Sequence, residues 1–294
     1  MPELPEVETV VRLVRPRVLG RTVTGVEVAW AGTLGGQLRG EFERSVVGAR
    51  IASAWRRAKY VVFDLERAGE IAGWLVGHLR MTGRLVVERA GEEPDPWRKV
   101  SLLLDDGAVL RFNDVRKFGR LSFTADLERA LGRLGPEPLS EEFTAEWLEA
   151  ALHARRRLLK PLLLDQSFLA GLGNIYVDES LHRAGLHPLA RSDRLRRAEV
   201  GRLHAEIRAV LSEAIEREGS SFDSFYRTPE GQPGSYQDQF LVYGRGGEPC
   251  RTCGTPIARL VVGQRGTHVC PRCQGRGPRR RVPSAGSGAP RRSR

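Results

Sequence analysis

The chain has 294 residues, 40% of them hydrophobic, which exceeds one typical domain and is enough to bury real cores. No apolar run reaches the ~18 residues of a membrane span, and the acidic N-terminus lacks the basic flank and apolar stretch of a secretion signal. A soluble, cytoplasmic protein that is neither membrane-bound nor secreted is expected. The formal charge of +11 points to a polyanionic partner. Seven of the arginines lie past Gln274, in a stretch without acids, and setting them aside leaves about +4 for the body.

In chain order, Pro5, the acids of the first turn and the stripe Val7, Val10, Val11, Val14 and Val18 predict a leading amphipathic helix. β-type runs follow at Thr22–Val28, Tyr60–Leu65 and Trp74–Val87. Val100–Phe112 reads as a hairpin turning at Asp105-Asp106-Gly107. A Gly-Pro-Glu-Pro interruption near Gly132–Ser140 marks a domain boundary. Beyond it, Thr144 caps a helix through Leu148 and Leu152, and a longer helix is predicted over about 196–218. Between them Leu169-Ala-Gly-Leu-Gly-Asn-Ile-Tyr176 is a glycine-rich lead into another helix. The Ser/Gly/Pro-rich stretch from Ser220 to Tyr236 reads as a mobile loop. The Gly/Pro/Ser/Arg tail from residue 276 reads as disordered, serving either as a phosphate-binding arm or as a solvated end.

Cys250-x2-Cys253 and Cys270-x2-Cys273, separated by sixteen residues, form a zinc-ribbon pattern. Four thiolates fill a tetrahedral ion, so one structural Zn2+ is expected; two disulfides are the alternative, disfavoured by the reducing compartment. Arg265 falls inside the intervening hairpin, where it reads either as a phosphate contact or as a surface arginine.

Of 47 basic residues only Lys59, Lys99, Lys117 and Lys160 are lysines. An ammonium can lose its proton near neutral pH in a suitable environment and a guanidinium cannot, which singles out Lys59 and Lys160. At the other end, Pro2 follows an initiator methionine that a small second residue allows to be removed. The exposed secondary amine would have a pKa near the ~7.7–8.0 of an α-amino group. Such an amine can attack a sugar C1′ and form an iminium, with Glu3 beside it as acid or base. Taken alone, Met-Pro-Glu reads as readily as a simple helix leader.

Met1-Pro-Glu-Leu-Pro-Glu-Val-Glu-Thr9 resembles the opening of the formamidopyrimidine-DNA glycosylases, with Leu4 favouring them over the endonuclease VIII branch of the family. Arg57-Ala-Lys-Tyr60, His78-Leu-Arg-Met-Thr-Gly83, Asn113-Asp-Val-Arg-Lys-Phe-Gly119, Gly171-Leu-Gly-Asn-Ile-Tyr-Val-Asp-Glu179 and the cysteine pairs follow in family order, to about residue 275. The resemblance implies an α+β protein. An N-terminal β-sandwich with a leading helix (1–134) would precede a helix–two-turn–helix domain with a lesion-covering loop (135–239), a four-cysteine zinc finger (240–275) and the tail (276–294). It implies a bifunctional glycosylase and abasic-site lyase that removes oxidised purines, acting as a monomer on double-stranded DNA with the damaged nucleotide flipped out. By motif position Pro2 would be the Schiff-base nucleophile, Glu3 the acid acting on the sugar, Lys59 an aid to β-elimination and Arg265 a phosphate grip associated with δ-elimination. Met81, Arg116 and Phe118 would fill the hole left by the flipped base; without the resemblance, Met81 and Phe118 read as core residues. Asn174 would meet a phosphate, or simply cap a helix. Arg155 and Lys160 would touch the DNA backbone, or lie on a solvated helix face. Arg80 replaces a usual glycine beside the wedge methionine, Trp97 a common DNA-binding histidine and Val115 a frequent proline.

Overall fold

A computed structural model describes residues 1–89, 91–93, 95–222 and 226–275. The arginine-rich tail, with its two readings, and part of the Ser220–Tyr236 stretch read as a mobile loop lie outside these residues.

The first helix, α1 (Leu4–Val18), buries the valine stripe read from the sequence. The strands β1 (Val23–Val28), β2 (Arg50–Arg57), β3 (Tyr60–Arg67), β4 (Glu70–His78), β5 (Gly83–Arg89), β6 (Arg98–Leu104), β7 (Ala108–Asp114) and β8 (Arg120–Thr124) make two four-stranded antiparallel sheets. Their orders are β1-β6-β7-β5 and β2-β3-β4-β8. Alternating apolar side chains from both sheets, among them Val61, Phe63, Leu75, Leu102 and Phe112, fill the space between them, so this half is a β-sandwich. The run expected to be continuous over Trp74–Val87 is broken at residues 79–82. There the chain leaves the sheet of β4 and joins that of β5, and this crossing puts Met81 at the rim. A short helix α2 (Arg39–Val46) and the strands β2 and β8 were not read from the sequence.

After α3 (Leu127–Leu131) the second half is helical: α4 (Ala145–His153), α5 (Leu159–Leu163), α6 (Asn174–Arg183) and α7 (Arg197–Glu216). Thr144 caps α4 by accepting from the Trp147 amide, as expected. The apolar faces of α4 to α7 enclose a second core that takes in Leu4 from the first helix. A hairpin of β9 (Ala258–Val262) and β10 (Arg265–Val269) follows, turning through Gly263 and Gln264, both with positive φ, the geometry of a tight two-residue hairpin. Because α1 packs against both β2 and α7, the N-terminus lies where sandwich and helical half meet.

Candidate active site

A cavity of about 530 Å³ opens at that meeting point, lined by Pro2, Glu3, Lys59, Met81, Asn174 and Arg265 together with Glu6, His78, Phe222 and Tyr243. Three separate stretches of sequence, at Pro2 and Glu3, at Lys59 and at Arg265, therefore supply the residues assigned to chemistry.

Glu3 is buried, and its carboxylate accepts from the Ile175 amide (3.1 Å) and the Tyr176 amide (3.5 Å) at the start of α6. The positive end of that helix favours the anion. Gly173 makes the approach possible, since a Cβ there would lie 2.2 Å from the Glu3 carboxyl carbon. Burial raises the Glu3 pKa, while the Lys59 ammonium and the two amides oppose the rise. Pro2 is buried beside it. Glu6 forms a hub: its carboxylate accepts from the Glu3 amide (2.8 Å), the Ser220 amide (2.8 Å) and the Tyr176 hydroxyl. Burial, and then the Glu3 charge, push its pKa up to about 7.

Lys59 stands at the turn between β2 and β3, where Ala58 holds a left-handed φ of 52°. Glu137, from the connection between the halves, fixes this turn by accepting from the Ala58 amide (2.5 Å), Arg56 (2.7 Å) and Arg57 (2.8 Å). Burial holds the Lys59 ammonium below its ordinary pKa range, Arg265 adds to that, and Glu3 and Glu6 oppose it. His78, at the end of β4, is pushed down to about 3 by burial and then by Arg80 and Lys59; its imidazole is neutral, and Nδ1 accepts from the Arg80 amide (3.0 Å).

Arg80 keeps the turn that a glycine would make, with φ at 55°, and a Cβ on Gly83 would lie 2.4 Å from the Leu79 carbonyl. Met81 is exposed on this turn, and Phe118 is exposed on the loop after β7 with the Arg116 guanidinium 5.0 Å from its ring. Asp114 joins the two loops, accepting from the Thr82 hydroxyl, the Arg116 amide (3.2 Å) and the Gly119 amide (2.7 Å). Neither Arg116 nor Phe118 lines the cavity.

One expected DNA contact, Lys160, stands elsewhere than the sequence suggested. Lys160 is on no solvated face. It is fully buried, donates to Asp178 (2.6 Å) and to the Gly266 carbonyl (3.1 Å), and so fastens β10 to α5 and α6. Desolvation explains why its pKa is lowered despite that partner. Asn174 lines the cavity, but its side-chain amide donates to Gly266 (2.9 Å), and the Ile175 and Tyr176 amides after it hold Glu3 rather than a vacant phosphate position. Arg155 is exposed as expected, with its guanidinium 5.1 Å from the Phe168 ring, but lies outside the cavity.

The thiols of Cys250 and Cys273 are 3.9 Å apart and those of Cys253 and Cys270 3.4 Å. Zn–S bonds of about 2.3 Å in a tetrahedron put sulfurs about 3.8 Å apart, so the donor set fits one structural zinc. None of the four cysteines is in a disulfide. His182 of α6 was not foreseen: its Nε2 lies 3.6 Å from the Cys250 sulfur, within the group formed by Cys250, Cys270 and Cys273. Nor were Glu6, Glu137, Asp178 and Glu179 singled out. Glu179 accepts from the amides of Leu241, Val242 and Tyr243 (2.8–3.0 Å), tying the lead into the zinc finger to α6.

Three family models match in succession: the formamidopyrimidine-DNA glycosylase N-terminal domain over residues 1–121, its H2TH domain over 134–225, and the zinc finger found in FPG and IleRS over 247–275. A formamidopyrimidine-DNA glycosylase of Heliobacterium modesticaldum is 48% identical over 93% of this chain and 100% of its own length. One from Bacillus subtilis is 43% identical over 93% and 99%. The crystal structure of MutM (FPG) from Thermus thermophilus superposes with a TM-score of 0.83 at 43% identity, covering 94% of this chain and all of that one. A Lactococcus lactis Fpg complex with abasic-site DNA gives 0.84 at 32% identity, with 94% and 100% covered. The chain belongs to the formamidopyrimidine-DNA glycosylase family and is a DNA-repair glycosylase built from a β-sandwich, an H2TH domain and a zinc finger.

Proposed function

We propose that the protein binds double-stranded DNA as a monomer, excises oxidised purines, chiefly 8-oxoguanine and formamidopyrimidines, and then cleaves the strand by β,δ-elimination. The observation that carries this reading is the convergence of Pro2, Glu3, Lys59 and Arg265 on one cavity. Lactococcus lactis relatives bound to DNA containing Fapy-dG or an abasic site support the substrate class.

With Met1 removed, the Pro2 nitrogen is a secondary amine facing the cavity. It attacks C1′ of the flipped nucleotide as the bond from C1′ to the base breaks, and the base leaves with that electron pair and takes up a proton. Glu3 gives a proton to the ring oxygen as the sugar opens, leaving an iminium between Pro2 and C1′. The iminium acidifies C2′. Loss of that proton, with Lys59 beside the reacting sugar, expels the 3′ phosphate, and a second elimination expels the 5′ phosphate. Arg265 holds the phosphate charge during both steps. Water then hydrolyses the iminium and frees Pro2.

Around this centre Met81 and Phe118 occupy the stacking gap and Arg116 bonds the orphaned base. Asn174 and Arg155 approach the backbone, and Lys160 acts from beneath by fixing β10, the strand that bears Arg265. The functional units proposed are 1–134, 135–239 and 240–275. A Lactococcus lactis Fpg complex with DNA containing an oxidised pyrimidine keeps a second reading open, an enzyme for oxidised pyrimidines. Single-turnover excision decides between them. The expected result is faster release of 8-oxoguanine opposite cytosine than of thymine glycol, with both ends of the gap phosphorylated. Preference for thymine glycol would reverse the assignment.

A further inference from the structure

His182, in the last turn of α6, is a histidine that the proposed reaction does not use. It is buried, at 5% exposure, and does not line the cavity. Its Nε2 lies 3.6 Å from the Cys250 sulfur. Its Nδ1 is buried too and has no hydrogen-bond partner among the described residues. An apolar ring would fill this space without leaving a nitrogen unbonded, so the polarity of the side chain has its use at the sulfurs.

The turn that follows is built against the cysteine pairs. The Leu186 carbonyl accepts from the Gln274 side-chain amide (2.9 Å), and the oxygen of that side chain accepts from the Cys270 amide (2.8 Å). A Cβ on Gly185 would lie 3.5 Å from the Cys273 carbonyl. The Gly185 amide donates back to the His182 carbonyl (3.0 Å), which fixes the backbone from which the ring projects.

The distances suit a ligand as well as a neighbour. Zn–N of about 2.1 Å and Zn–S of about 2.3 Å in a tetrahedron put nitrogen and sulfur about 3.6 Å apart, which is the separation of His182 from Cys250. The donor atoms of His182, Cys250, Cys270 and Cys273 all lie within 4.8 Å of one another. They make a complete set of three sulfurs and one nitrogen that does not need Cys253, which is itself only partly buried.

We propose that His182 is a reserve ligand of the zinc centre. While four thiolates hold the ion, the Nε2–H group donates to Cys250, whose metal-bound sulfur can only accept. When the Cys253 thiolate is lost, Nε2 takes the vacated position. One proton then leaves Nε2 and one is taken up at Nδ1, whose lone pair is already unengaged, so only the bond to Cys250 is given up. The exchange keeps the hairpin that bears Arg265 fastened to α6, the helix whose first amides hold Glu3. The inference concerns the metal centre and does not depend on which lesion the cavity accepts.

The test uses full-length protein as wild type, Cys253→Ala, His182→Phe and the double variant, each checked by circular dichroism. Zinc per chain and zinc affinity are read by competition with a chromophoric chelator. Cys253→Ala should keep one zinc per chain. Removing His182 should weaken zinc binding about tenfold when Cys253 is present and about a hundredfold when it is absent. Co2+ in place of zinc reports the donors directly. Its visible spectrum in Cys253→Ala should be that of three sulfurs and one nitrogen, and should change again in the double variant. If His182→Phe costs the same with and without Cys253 and leaves the Co2+ spectrum of Cys253→Ala unmoved, water fills the position and the reserve ligand is wrong. Zinc lost from Cys253→Ala as completely as from the double variant would overturn it as well. In zinc-loaded wild type, imidazole 15N shifts should place the His182 proton on Nε2; a proton on Nδ1 alone would sink the proposal even if Cys253→Ala failed to fold.

Discussion

Glu6 illustrates how one buried carboxyl joins parts of the chain distant in sequence. It touches the backbone of Glu3, the hydroxyl of Tyr176 and the amide of Ser220, and its pKa is raised to about 7. A folded-state pKa above the unfolded one means that the folded protein holds the proton more tightly. The stability drawn from neutral Glu6 is therefore complete below about pH 4.5 and is lost as pH rises through about 7. Unfolding free energy should fall between about pH 5 and 8 in the wild type and fall less steeply in Glu6→Gln; parallel profiles would contradict the assignment. Lys160 gives a second prediction. Removing one member of a buried ion pair strands the other charge, so Lys160→Ala should cost about 3–5 kcal/mol in denaturant unfolding. Lys160→Met/Asp178→Leu should recover much of that, because it strands neither. At this scale the sequence was legible where chemistry is local, as in the small residue after Met1 and the scarcity of lysine. It was silent on Lys160 because a helix face carrying one lysine looks the same whether it meets water or Asp178.

Among the elements, legibility followed periodicity. α1 and α7 were readable because their apolar residues recur on one helical face. β2 was not, because Arg50, Arg56 and Arg57 break the alternation while pairing with Glu66, Glu8 and Glu137. The turn at residues 79–82 was hidden inside an apolar run, since a strand changing sheets keeps its apolar residues on both sides of the crossing. The zinc hairpin was legible from four cysteines alone, and its mechanical role was not. Lys160 and Asn174 both bond Gly266, and the His268 amide donates to Asp178 (2.9 Å). The hairpin is thus clamped on one side by these bonds and on the other by the metal. Chelating the zinc should abolish excision while the β-sandwich signature in far-UV circular dichroism persists, and adding Zn2+ back should restore activity. Full activity in protein shown to be metal-free would contradict this account.

For the molecule as a whole, the order of motifs along the chain implied the architecture, but not which residues meet. Glu3 and Ile175 are 172 positions apart, and only the folded chain brings the start of α6 to the N-terminus. That contact depends on Gly173, which the glycine-rich motif supplied without revealing its partner. Pro2 is the point on which the functional account turns. The most direct test is borohydride trapping on duplex DNA carrying a single 8-oxoguanine, followed by peptide mapping of the adduct. The account predicts a covalent complex at the nitrogen of Pro2 that is lost when Met1 is retained. A zinc-loaded enzyme that excises the base without any trapped complex, or with the adduct on another residue, would contradict it.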